Sequence, residues 1–258
     1  RAAGVRLGSG ETIAAARGVV CSVTPNQLYG RLLKGQPIPE EVSEATTAYR
    51  YGKGNMQIHY ALERPVDWPD AALGDVQLLH LTEGVDAVSK AGNEAERGLL
   101  PETPTVCIGQ PLAADPSRAP EGKGLLWIQL PEAPRTLKGD AGGTIDIPED
   151  GRWTDGVREA FADRVEAMIC AHVPGFSDTI RARTSYSPAD LEALNINLVG
   201  GDPYGGYCGI DQFFLWRPFA HSVNHTTHVP GLFHIGASTH PGPGLAGGSG
   251  FLTANAIR

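Results

Sequence analysis

The chain has 258 residues, with 21 Lys and Arg against 29 Asp and Glu, for a formal net charge of −8. Apolar residues make up 41% and charged residues 19%, enough for a packed core and too apolar for a disordered chain. The acidic balance, without any Lys/Arg block, excludes nucleic acid as an expected partner, and no apolar run approaches the ~20 residues that span a bilayer.

Gly (33) and Pro (20) together form about a fifth of the chain, which calls for many turns and for at least one place of close backbone approach. Cys21, Cys107, Cys170 and Cys208 lie far apart with no CxxC pairing. They read as reduced thiols of an intracellular chain, cytoplasmic and soluble or peripheral, and no metal site is expected from them. No charged-then-apolar leader is visible, and Arg1 in place of Met places the natural start elsewhere.

In chain order, residues 4–7 and 11–13 around Gly8-Ser9-Gly10 predict a β-hairpin, and Val19 to Val23 a buried strand closed by Thr24-Pro25. Glu40, Glu41 and Glu44 read as a solvated helix start. Met56, Ile58, Tyr60 and Leu62 alternate with more polar neighbours, the period of a half-buried strand. Residues 76–81, 105–108 and 125–130 are further strands, 86–99 a helix, and 131–151 a loop punctuated by Pro and Gly.

A long helix follows, capped by Thr154 or Asp155, with Val157, Phe161, Val165, Met168, Ile169 and His172 marking one face and Pro174-Gly175 ending it. Ser187 and Pro188 open a shorter one. His221, His225 and His228 have the spacing of a metal set, but flanking prolines and the lack of a nearby Cys or carboxylate favour a polar loop. The Trp residues read as packing.

The last 30 or so residues carry the chemistry. Gly231 to Ala237 is a short strand ending in Gly, Ser238 to Gly244 a Gly/Pro loop, and Leu245 to Ile257 a helix with small residues in its first turns. A strand, a tight loop and a helix N-terminus present free N–H groups and a dipole worth ~0.3–2 kcal/mol to a carbonyl oxygen or an anion. Residues 242–247 match GxGxxG formally, but too few residues follow to supply the second strand and acidic residue of a dinucleotide fingerprint.

GLFHIGASTHPGPGLAGGSGFLTANA (231–256) resembles the C-terminal signature of phytoene desaturase-like flavoproteins, within the FAD-dependent amine oxidase and desaturase group. DPSRAPEGK (115–123), SPADLE (187–192), Gly200-Gly201-Asp202, Asp211-Gln212 through Arg217-Pro218, and GVRLGSGETIAAARGVVCSVTP (4–25) are similar to further segments of that family. The non-carotenoid branch is the closer likeness.

The resemblance implies an α/β and α+β fold, the C-terminal portion of a two-domain FAD/NAD(P)-binding flavoprotein whose N-terminal βαβ unit is missing here. Residues 1–25 and 205–258 would return into the FAD-binding domain, and 26–204 would be a mixed-sheet substrate-binding domain. The N-terminal FAD-binding half, in the same gene or a separate chain, is the expected partner, without which the enzyme is expected to be inactive. Association with a membrane surface or a second copy stays open.

By the same resemblance, Gly236 and Ala237 lie along the ribityl–pyrophosphate part of FAD. Gly242, Gly244, Leu245 and Ala246 run under the flavin, and Val23 sits near the adenosine. His240, Arg217 and Gln212 are the catalytic candidates, and Tyr207 the substrate contact. The implied activity is an FAD-dependent oxidoreductase of desaturase type, moving hydride from the carbon of a small, apolar organic substrate to flavin N5. Alternatives are a non-catalytic subunit that has lost FAD, and a redox-neutral isomerase using reduced FAD.

Overall fold

The N-terminal hairpin forms as expected: β1 (Gly4–Arg6) pairs antiparallel with β2 (Thr12–Ala14). A computed structural model describes residues 1–222, 225–244 and 247–257 of the chain. β3 (Val19–Cys21) forms inside the predicted stretch Val19 to Val23 but is shorter and not buried as expected, with Val20 exposed, and α1 (Pro25–Gln27) follows, whose Pro stands at its first turn where a missing N–H costs nothing. The coil continues as a π-helical segment, Leu28–Leu32. α2 (Glu40–Ala48) begins at the acidic cluster, with Glu40 and Glu41 in the first turn where the helix dipole favours them.

The middle of the chain builds a five-stranded antiparallel sheet. β4 (Gly54–Leu62) and β5 (Leu78–Leu81) come first, then α3 (Val85–Glu96), β6 (Leu99–Leu100) and β7 (Val106–Gly109). α4 (Pro111–Ala114), β8 (Gly124–Ala133), β9 (Gly139–Asp140), α5 (Asp155–His172), β10 (Ile180–Tyr186) and α6 (Pro188–Leu194) follow. The strand order is β10-β4-β8-β7-β5, with β6 and β9 forming a small parallel pair. Thr154 caps α5 by accepting from the Val157 N–H at 3.3 Å, as the sequence predicts.

One face of the sheet (Met56, Ile58, Tyr60 and Leu62 with Leu126, Ile128 and Leu130) buries itself against Val157, Phe161, Val165 and Ile169 of α5. Arg183 of β10 lies on that side and pairs with Glu159, Asp163 and Glu166 of α5 at 2.7–2.9 Å. These ion pairs and the β4 ladder hold β10, a strand that the polar sequence Arg181 to Ser185 does not announce.

The punctuated stretch 131–151 is organised by Asp140. Its carboxylate takes both guanidinium nitrogens of Arg164 at 2.7 Å and accepts from the N–H groups of Thr144 and Ile145. Partial burial opposes ionisation there, but these bonds outweigh it and hold the carboxyl at about 2.

The chain then returns through short 3₁₀ turns to β11 (Leu232–His234), which pairs parallel with β3, and ends in α7 (Gly248–Ile257). Two compact units result, Arg1–Gly52 with Asn195–Arg258 as unit 1 and Lys53–Leu194 as unit 2. Residues 26–52 and 195–204, expected to belong with the sheet, thus cluster with the termini. Leu28, Tyr29, Val42 and Tyr49 explain why, since they form one apolar core with Phe219 and Leu232. No helix among the described residues is long and apolar enough to cross a membrane.

Candidate functional site

The C-terminal strand–loop–helix element sits in unit 1 on a set of loops tied together by Arg217. This residue is 2% exposed, and its guanidinium donates to the carbonyl oxygens of Gln212 (3.3 Å), Tyr204 (2.8 Å), Gly206 (2.5 Å), Tyr207 (3.1 Å) and Ala237. The planar fork suits such convergent carbonyls, which a lysine could not satisfy together. Its N–H groups are thus spent on backbone carbonyls, with Nη2 also 3.4 Å from Cys208 Sγ, and its direct effect is to position the 204–208 and 237–238 loops. Gly206 closes the arrangement, because a Cβ there would stand 2.1 Å from the Tyr49 hydroxyl oxygen.

Gln212 has a similar part. Its Oε1 accepts from the Arg50 N–H at 2.9 Å and its Nε2 donates to the Arg50 carbonyl at 2.7 Å. Tyr207 lies under the Arg50 guanidinium, 4.6 Å from ring centre to Cζ. Asp202, absent from the predicted set, is fully buried and accepts from the N–H groups of Gly52, Tyr204 and Gly206.

Beside these loops lies a cavity of about 430 Å³, bordered by Tyr29, Arg217, His225, His234, His240 and residues of α7. His240 Nδ1 lies 3.1 Å from the Phe214 carbonyl oxygen, to which it can only donate, which leaves Nε2 as the ring nitrogen outside that bond. Its ring meets Phe214 edge-on at 4.7 Å. His225 Nδ1 likewise faces the His234 carbonyl at 3.2 Å.

His234 is the most constrained of the group. It is 2% exposed, its Nε2 donates to the Val23 carbonyl at 2.6 Å, and its Nδ1 has no partner. Burial lowers its pKa to about 4, so the ring is neutral at pH 7. Val23, the candidate for the adenosine side, thus spends its carbonyl on His234. The histidines of the metal-like spacing disperse: His221 faces Glu41, His225 the His234 carbonyl, and His228 the Pro37 carbonyl.

Gly236, two residues beyond β11, has φ +96°, and its N–H donates to Ser249 Oγ in the first turn of α7 at 3.0 Å. Its carbonyl accepts from the N–H and hydroxyl of Thr239. Gly242 has φ +116°, and a Cβ there would press on the Phe213 ring at 2.9 Å. Gly244 differs, because a Cβ there would meet nothing within 4 Å. Leu245 and Ala246 lie outside the described residues. The cavity bordered by His240 has the volume to take part of a flat ligand.

The sheet of unit 2 has a second face, opposite α5. One row across it runs Tyr186, Gln57, Gln129, Cys107 and His80, and the next Thr184, His59, Trp127, Gly109 and Leu78. Gly109 lets the Trp127 ring lie over its strand, since a Cβ would stand 2.7 Å from Cε3. His59 meets Tyr186 edge-on at 6.0 Å, and partial burial pushes its pKa down. Neither row holds an Asp, Glu, Lys or Arg, although charged residues make up 19% of the chain. A solvated sheet face ordinarily carries them.

No family model matches the chain. It is 28% identical over 269 residues to the mouse pyridine nucleotide-disulfide oxidoreductase domain-containing protein 2, covering all of this chain and 44% of that protein. It is 25% identical over 250 residues to the neurosporene-forming phytoene desaturase of Cereibacter sphaeroides, covering 95% and 43%. The zeta-carotene-forming phytoene desaturase of Myxococcus xanthus is 28% identical over 247 residues, covering 95% and 42%. The chain spans less than half the length of each of these relatives.

Among solved structures, an oxidoreductase from Methanosarcina mazei matches with a TM-score of 0.54 at 13% identity, over 99% of this chain and 46% of that one. The chain is thus similar in sequence to phytoene desaturases and to a pyridine nucleotide-disulfide oxidoreductase domain-containing protein, and it shares the fold of part of the Methanosarcina mazei oxidoreductase.

Proposed function

We propose that the chain is the substrate-side and flavin-side portion of an FAD-dependent oxidoreductase of desaturase type, acting on a small, uncharged organic substrate. The cavity of about 430 Å³ bordered by His240 and by Leu252 and Ala256 of α7, at the segment whose sequence resembles the flavin-side signature, is the observation that carries this reading. When bound, FAD supplies a flavin able to accept hydride.

The chain's own residues bind and orient. Arg217 fixes the Ala237 carbonyl and the adjoining loops, so that the ligand meets a rigid backbone surface. Gly236 and Ser249 lock the strand end to the start of α7. His240, with Nδ1 committed to Phe214, can hold a proton-donating group at Nε2. His234, kept neutral, adds no charge to the cavity wall.

The uncharged second face of the unit 2 sheet supports an apolar or uncharged substrate, since a charged one would be desolvated there without a partner. The ADP half of the cofactor needs a separate GxGxxG unit, here proposed as the partner half.

Flavin absorbance tests the proposal. The chain supplied with FAD and with a polypeptide carrying the dinucleotide-binding unit is expected to retain about one flavin per chain, the single-site limit. Absence of bound flavin in that reconstituted material would sink the reading.

A further inference from the structure

We infer that unit 2 holds a binding site of its own, independent of the flavin reading: an apolar cavity of about 300 Å³ on the α5 side of the sheet, suited to a small uncharged aromatic or hydrocarbon group. Its floor is the protein core. Ile108, Ile169 and Val173 border the void, yet each is only 1–2% exposed. Trp68 and Leu73 form the outer wall, and Leu79 of the edge strand β5 closes one side.

The wall is held in place. Gln110, 8% exposed, accepts from Trp68 Nε1 at 2.7 Å and donates to the carbonyls of Leu73 (2.7 Å) and Val76 (2.6 Å). One buried amide therefore straps residues 68–76 over the opening without filling it. Asp70, His80 and His172 stand at the rim, and two of them have partners within the chain. Asp70 accepts from the Ala72 N–H, and His172 Nδ1 faces the Met168 carbonyl at 3.0 Å.

These commitments define the ligand. With the strap's polar atoms paired internally, the cavity asks no hydrogen bond of its occupant, and a charged group would lose its hydration there. An apolar cavity of ~150 Å³ lined by aliphatic and aromatic residues stays dry and binds benzene. Twice that volume matches a two-ring aromatic. Filling it restores contacts that the walls otherwise lack.

Naphthalene, titrated into the nitrogen-15-labelled chain, is the probe. Saturable shifts are expected at the amides of Leu73, Leu79, Ile108, Ile169 and Val173. Leu73→Trp, which turns a large side chain into the void, is expected to abolish them and leave the rest of the spectrum in place. Leu73→Phe gives a smaller block should the Trp variant not fold. Shifts confined to Gln57, Trp127 and Gln129 on the opposite face, no saturation up to the solubility limit, or unchanged binding in a folded Leu73 variant would each overturn the inference.

Discussion

Arg217→Ala is expected to destabilise unit 1 by several kcal/mol, at about 1–3 kcal/mol for each buried carbonyl left without a donor. The loss comes less from the guanidinium than from what it leaves behind. The carbonyls of Tyr204, Gly206, Tyr207, Gln212 and Ala237 converge on one buried point, and no water-sized group replaces a planar five-donor fork there.

Against a typical domain stability of about 5–15 kcal/mol, that loss removes much of the folded margin. Urea unfolding followed by Trp216 fluorescence checks it. Arg217→Lys is expected to recover only part of the loss, because an ammonium cannot reach donors so widely spread. Wild-type stability in Arg217→Ala would show that the loops are held by other contacts.

Acid is expected to destabilise unit 1 through His234. Its folded pKa of about 4 lies below the unfolded value of 6.5, so the unfolded chain binds the extra proton between those limits. The contribution is fully present above pH 6.5, is lost as pH falls, and is exhausted below about 4. With a tenfold change in proton affinity worth about 1.4 kcal/mol, the total is roughly 3 kcal/mol.

His234→Gln keeps a donor for the Val23 carbonyl but does not titrate. Comparing thermal unfolding of the two proteins from pH 7 to pH 4 isolates the histidine's contribution, since the remaining titrating groups are common to both. A wild-type curve as flat as the variant's would mean that the imidazole can charge in place.

Much of the fold was legible because it is encoded locally. The alternation from Met56 to Leu62, the Thr154 cap and the Ser187-Pro188 start each become the expected element, and the run from Val19 becomes a strand, though a shorter and less buried one than expected. β10 was not legible, for its polar alternation gains meaning only beside β4 and the carboxylates of α5. The compact-unit boundaries were hidden too, because Leu28 and Tyr29 reach Phe219 and Leu232 across nearly the whole chain.

The candidate site divides in the same way. The Gly-rich loop and His240 could be read from composition and resemblance. Arg217 could be singled out, but not the five carbonyls that occupy it. His234 gave no sign, being one histidine in an apolar strand until the Val23 carbonyl and its own burial are seen together.

If the flavin ring lies beside Gly244, as proposed, Gly244→Val puts a branched side chain in its place. Gly244 is exposed, and a Cβ there meets no atom of the described residues within 4 Å, so the variant is expected to fold with an unchanged Tm. Flavin affinity, measured by titration with the dinucleotide-binding half supplied, is expected to fall at least ~10-fold, or about 1.4 kcal/mol. A folded Gly244→Val protein that binds flavin as tightly as the wild type would contradict the account.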